Sequence, residues 1–75
     1  MKHRITKFER VRVIGARATQ ISRGAPSTVD IDGIEDPLKI AEKEFRERKC
    51  PLVVVRKYPN GKVEEIPVSE MIYDM

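Results

Sequence analysis

Four of the five prolines cut this 75-residue chain into short pieces that no regular element can run through unchanged. Pro26 stops whatever precedes it. Pro37, after Asp36, suits the first turn of a helix, where the missing N–H costs nothing. Pro51 closes that helix. Pro59 opens a turn, followed by Asn60 and by Gly61, which supplies the positive φ such a turn requires. These breaks allow two helices and one hairpin, and little else.

The first helix is read at about 7–22. Thr6-Lys7-Phe8-Glu9 matches a capping box, in which the Thr hydroxyl and the Glu carboxylate satisfy orphan backbone N–H groups. Gly24 suits the C-terminal cap. At 100° per residue, Phe8, Val11, Ile14, Gly15, Ala18, Ile21 and Ser22 share one face, which is expected to turn inward. Arg10, Val13, Arg17 and Gln20 then form the outer face. A second helix follows from Asp36-Pro37 to about Arg48, with Leu38, Ala41 and Phe45 inward. Glu42 with Arg46 and Glu44 with Arg48 are expected i,i+4 pairs. Between the helices, a short extended piece is expected around Thr28–Ile31. "LVVVRKY" and "KVEEI" flank the Pro-Asn-Gly turn as two antiparallel strands. The fold class is therefore α+β: two helices plus a C-terminal antiparallel β-hairpin. The chain is one domain, with a flexible basic N-terminus over 1–5, a two-helix part over 6–49, and a hairpin and tail over 50–75. An isolated hairpin is marginal in water, so it should pack on the helices or on a partner. The tail, with Val68, Met71, Ile72, Tyr73 and Met75, should be docked.

Charge is uneven along the chain. Residues 1–24 hold seven Lys/Arg and one acid, a net of +6, whereas residues 25–75 hold eight bases and eleven acids, a net of −3. Such an imbalance suggests nucleic acid or an acidic protein on the basic side. Catalysis is not expected. Nucleophilic chemistry needs an activating base, and the one histidine, His3, lies in the N-terminal end. Cys50 has no partner for an internal disulfide and reads as a small apolar group. The acidic run Asp30, Asp32, Glu35 and Asp36 lacks the calcium-loop spacing, so it reads as a solvated loop with Asp36 as a cap. Gly15 and Gly24 make no phosphate-binding fingerprint. No cofactor, metal or small-molecule substrate is expected. No apolar run reaches membrane-spanning length, and no N-terminal stretch suits a signal peptide, so a cytoplasmic setting is expected.

The centre of the first helix, Gly15-Ala16-Arg17-Ala18, gives up side-chain packing. Small residues there permit close approach of another chain, and arginine anchors well at interfaces. A glycine tolerated for local packing explains it equally well, and the residues alone leave both readings open.

"TKFERVRVIGARATQISRGAP" resembles the signature of the omega-like small subunit family of RNA polymerase, in its archaeal subunit K form. Thr6, Phe8, Glu9, Arg12, Val13, Ile14, Gly15 to Ala18, Gln20, Ile21 and Gly24 to Pro26 fit the pattern. Val11 and Thr19 stand where Ala and Leu are common. "DPLKIAEKEF" and "PLVVVRKYPNGKVEEIPVSE" are similar as well. The resemblance implies an omega-like fold and a non-catalytic subunit that packs on the largest polymerase subunit and aids assembly and stability. DNA would then be met only through the complex, and magnesium would belong to the polymerase. Arg12, Gly15, Arg17, Ala18 and Gln20 match the motif and are the expected partner contacts. Arg17→Glu is expected to leave the isolated fold largely intact. Eukaryotic relatives carry a long acidic N-terminal tail, so a start this close to the motif is expected of the archaeal form. The competing expectation is a stand-alone basic nucleic-acid-binding module.

Overall fold

The computed structural model describes residues 3–73. Helix α1 (Lys7–Ser22) and helix α2 (Pro37–Arg46) precede a hairpin of β1 (Val53–Lys57) and β2 (Val63–Pro67), and a 3-10 turn spans Val68–Glu70. The architecture is the expected α+β one. The local signals hold. The Thr6 hydroxyl accepts from Glu9 N–H and the Glu9 carboxylate accepts from Thr6 N–H, both at 3.0 Å. Gly24 follows α1 with φ 103°. Asp36 caps α2 by accepting from Leu38 N–H at 3.0 Å. In the hairpin, Gly61 adopts φ 86° and donates to Tyr58 O at 2.9 Å.

Where the fold departs from the sequence reading, long-range contacts decide. Residues 28–31 form no strand. Side-chain bonds hold that connection instead: Thr28 N–H and Ser27 Oγ donate to the Glu44 carboxylate, and Thr28 Oγ1 donates to Lys49 O. Helix α2 ends two residues early, and Arg48 takes φ 60°. That turn carries Arg48 away from Glu44. It donates to Met71 O at 2.8 Å and lies 4.2 Å from the centre of the Tyr73 ring. Leu38, expected inward, is exposed.

The core gathers Val13 and Ile14 of α1, Ala41 and Phe45 of α2, Cys50, Val54 and Ile66 of the hairpin, and Val68 and Met71 behind it. Burial pushes the Cys50 thiol up, which suits an unreactive core group. The tail is docked as expected up to Tyr73, whose ring stacks on Phe45 at 4.2 Å between centroids. Met75 lies outside the described residues. The N-terminal segment was expected to be loose, yet residues 3–5 pair with the tail. Ile5 N–H donates to Ile72 O, Ile72 N–H donates to His3 O, and Ile5 is buried in the core. The rest of the expected loose end, residues 1–2, lies outside the described residues.

Candidate docking surface

Helix α1 is turned partway from the assignment its hydrophobic stripe suggests: Ile14, Ala18 and Ile21 pack inward as expected, but Val13 and Arg17 change places with Phe8 and Val11. Val13, Ile14 and Arg17 turn inward, while Phe8 and Val11 are 69% and 67% exposed. The inward face succeeds because Arg17 finds a partner. Its Nε donates to Glu44 Oε1 at 2.6 Å and its Nη2 donates to Glu44 Oε2 at 3.1 Å. Nη2 also donates to Pro26 O, and Nη1 to Gln20 Oε1. Arg17 is 4% exposed and Glu44 is fully buried. Burial raises the proton affinity of the Glu44 carboxyl. The Arg17 guanidinium and the Thr28 N–H outweigh that effect and hold it below the ordinary carboxylate range. One charge-assisted fork thus joins α1, α2 and the connection between them.

The other face of α1 lines a groove. Phe8, Arg12 and Ala16, one helical turn apart, form one wall, and Val53, Val55 and Lys57 of β1 form the other. Glu9, Val13, Leu52 and Val54 complete it. The Arg12 guanidinium lies 5.4 Å from the centre of the Phe8 ring. Glu9 is spoken for: Arg56 Nε and Nη2 donate to its two oxygens at 3.0 and 2.9 Å. That guanidinium holds the Glu9 carboxyl below its ordinary value. Arg56 Nη2 also donates to Arg4 O, so one side chain ties the hairpin to the start of α1. Exposed Phe8, Val53 and Val55 bring apolar side chains together along this groove, and exposed apolar surface of this kind marks interaction sites.

The five motif residues therefore separate. Arg12 is exposed on the groove wall. Gly15 is half-buried, and a Cβ there would meet nothing within 4 Å, so any close approach it serves comes from outside this chain. Gln20 is exposed and bonded to Arg17. Arg17 and Ala18 face inward, Ala18 against the core. Phe8, Val53 and Val55 were not singled out as surface residues. For the two valines the unbroken run Leu52-Val53-Val54-Val55, apolar on both faces of the strand, was the available signal.

The RNA polymerase Rpb6 family matches residues 1–52. The chain is 51% identical over 71 residues to the "DNA-directed RNA polymerases I, II, and III subunit RPABC2" of Saccharomyces cerevisiae, covering 95% of this chain and 46% of that protein. It is 47% identical over 70 residues to the "DNA-directed RNA polymerases II and V subunit 6B" of Arabidopsis thaliana, covering 93% and 49%. It is 49% identical over 66 residues to the archaeal "DNA-directed RNA polymerase subunit Rpo6" of Thermofilum pendens, covering 87% and 82%. The chain spans about half the length of the eukaryotic relatives and most of the archaeal one. The match takes in the capping box, the Gly-Ala-Arg-Ala centre and the Glu44 that receives Arg17, and on that ground the chain belongs to the RNA polymerase Rpb6 family.

Proposed function

We propose that this chain is a non-catalytic subunit of a multisubunit DNA-directed RNA polymerase, which binds the largest subunit and promotes its assembly and stability. The observation that carries the reading is the open groove of α1 and β1, apolar at its walls and basic at Arg12 and Lys57, on a chain of this family. A surface of that kind suits protein docking. Its chemistry is binding; the polymerase's own subunits join the nucleotides. Arg12 and Gly15 are the motif residues proposed to touch the partner directly, with Gln20 at the margin. Arg17 and Ala18 act through the fold by fixing which face of α1 is displayed. DNA is met only through the complex, in the cytoplasm of an archaeal cell.

Arg12→Glu tests the reading. Arg12 is exposed, so the melting temperature should stay within a few degrees of wild type. Uptake into polymerase reconstituted from its purified subunits should fall about tenfold, the effect of losing one interface anchor. Equal uptake of variant and wild type would remove Arg12 from the interface. Failure of the wild-type chain to enter the polymerase, with tight salt-sensitive binding to bare duplex DNA instead, would favour a nucleic-acid-binding module.

A further inference from the structure

The hairpin register shows which backbone groups of β1 remain open. Val53 pairs with Pro67, Val54 with Ile66, Val55 with Glu65, Arg56 with Glu64 and Lys57 with Val63. Beyond the ladder's ends, Val68 N–H donates to Leu52 O at 3.0 Å and Tyr58 N–H donates to Lys62 O at 2.9 Å. Hydrogen-bonded pairs alternate along an antiparallel ladder. Leu52, Val54, Arg56 and Tyr58 therefore turn their N–H and C=O groups toward β2. Val53, Val55 and Lys57 turn theirs to the opposite edge, and among the described residues the sheet has two strands. That edge faces the groove whose far wall is Phe8, Arg12 and Ala16.

Open edges of this kind are normally blunted by charge, proline or a bulge. This one is not: two of its three open residues are exposed valines, and only Lys57 carries charge. The groove's electrostatics have a sign as well. Arg12 and Lys57 line it against one carboxylate, Glu9, which Arg56 already pairs.

We propose that an extended, acidic segment of a partner protein adds to the free edge of β1 as a third strand, seated between β1 and α1. Main-chain bonds to Val53 and Val55 give the segment its register. Apolar side chains at alternate positions pack among Phe8, Val53 and Val55, and the acidic ones meet Arg12 and Lys57. This is strand addition, in which the backbone supplies affinity and flanking side chains supply selectivity. The proposal rests on the polymerase reading and adds the mode of binding and the chemistry of the segment bound.

The test compares Val55→Pro with Val55→Thr in the full chain. Proline removes the outward N–H and leaves every inward ladder bond in place, so the hairpin tolerates it. Threonine keeps the strand shape and the N–H. Binding to the purified largest polymerase subunit should weaken about tenfold for Val55→Pro and stay within about threefold for Val55→Thr. Amide exchange on the wild-type chain makes the test independent of how the proline variant folds. The Val53 and Val55 N–H groups should exchange at least about tenfold more slowly in assembled polymerase than in the free chain. A chain that enters the polymerase with both amides exchanging as fast as when free overturns strand addition and leaves the polymerase reading standing. A chain that enters no polymerase overturns both. Protection that grows with the concentration of the isolated protein assigns the edge to a second copy and overturns the proposal too.

Discussion

The two faces of α1 do opposite things with the same residue types. On the inner face a charged residue is buried and fully engaged: Arg17 spends its guanidinium on Glu44, Gln20 and Pro26 O. On the outer face apolar residues are left in solvent: Val11 is exposed, and Phe8 borders a groove with Val53 and Val55. A chain optimised only for its own stability would do the reverse. Desolvating an ion pair is costly, and exposed aromatic surface forgoes the gain of burial. The difference teaches that the inner fork orients the helix, and that what it orients outward is the surface proposed for another chain.

If the fork is what fixes the helix face, breaking one side of it should have the largest effect on the free protein. Glu44→Ala leaves the Arg17 guanidinium buried without its carboxylate, and the expected loss is about 3–5 kcal/mol. Urea unfolding measures it. Arg17→Glu sets two carboxylates face to face in the same buried place and should unfold the isolated chain. The location of Arg17 thus reverses the expectation that this change spares the fold. The double change Arg17→Met with Glu44→Leu removes both charges together and should recover most of the loss, because the pair's attraction and its desolvation cost nearly cancel. The revealing readout is polymerase uptake by the double variant. A stable chain that docks poorly would show that the fork selects the displayed face.

A smaller, graded effect should come from pH. Glu44 titrates below its ordinary value of 4.5 in the folded chain, so the unfolded chain binds protons more readily. The stability tied to its charge is present above that value and is lost as the pH falls through the folded one. Glu9, held down by Arg56, shifts in the same direction and adds to the loss. Thermal melts from neutral pH downward should show a falling midpoint in the acid range. The slope should be shallower in the Arg17→Met, Glu44→Leu variant. An equal slope in both proteins would place the acid sensitivity elsewhere.

The two faces also differ in how readable they were. The helix ends and the hairpin were legible because their causes are local. A Thr hydroxyl reaches an N–H three residues away, and Pro59-Asn60-Gly61 sets its own turn. The choice of face was not local. Phe8 and Val11 make the more apolar stripe, and periodicity alone sends them inward. What overrules it is Glu44, 27 residues further on, buried at a spot that only the packing of α2 defines. The same carboxylate explains the missing strand near Thr28, since it takes the Thr28 N–H that a ladder would have used. Of the motif residues, the pattern alone could not say that Arg17 supports the surface from within while Arg12 lies on it.

Gly15 gives the finest test of the contrast between a face built for the fold and a face built for a partner. It sits mid-helix, where glycine costs stability because the unfolded chain has more freedom to lose. Nothing among the described residues requires it: its φ is helical rather than positive, and an added Cβ would meet none of their atoms within 4 Å. Gly15→Ala should therefore stabilise the isolated protein by about 0.5–1 kcal/mol, which raises its melting temperature by several degrees. If the helix were shaped for its own packing alone, that gain would carry through to every other property. If the glycine leaves room for a neighbouring chain, the more stable variant should enter reconstituted polymerase less well, and Gly15→Val less well again. Stability rising while uptake falls would separate the two demands at a single position. Uptake that keeps pace with stability would show Gly15 to be a residue the helix merely tolerates, and would confine the docking surface to the Phe8–Arg12–Ala16 ridge and the β1 edge.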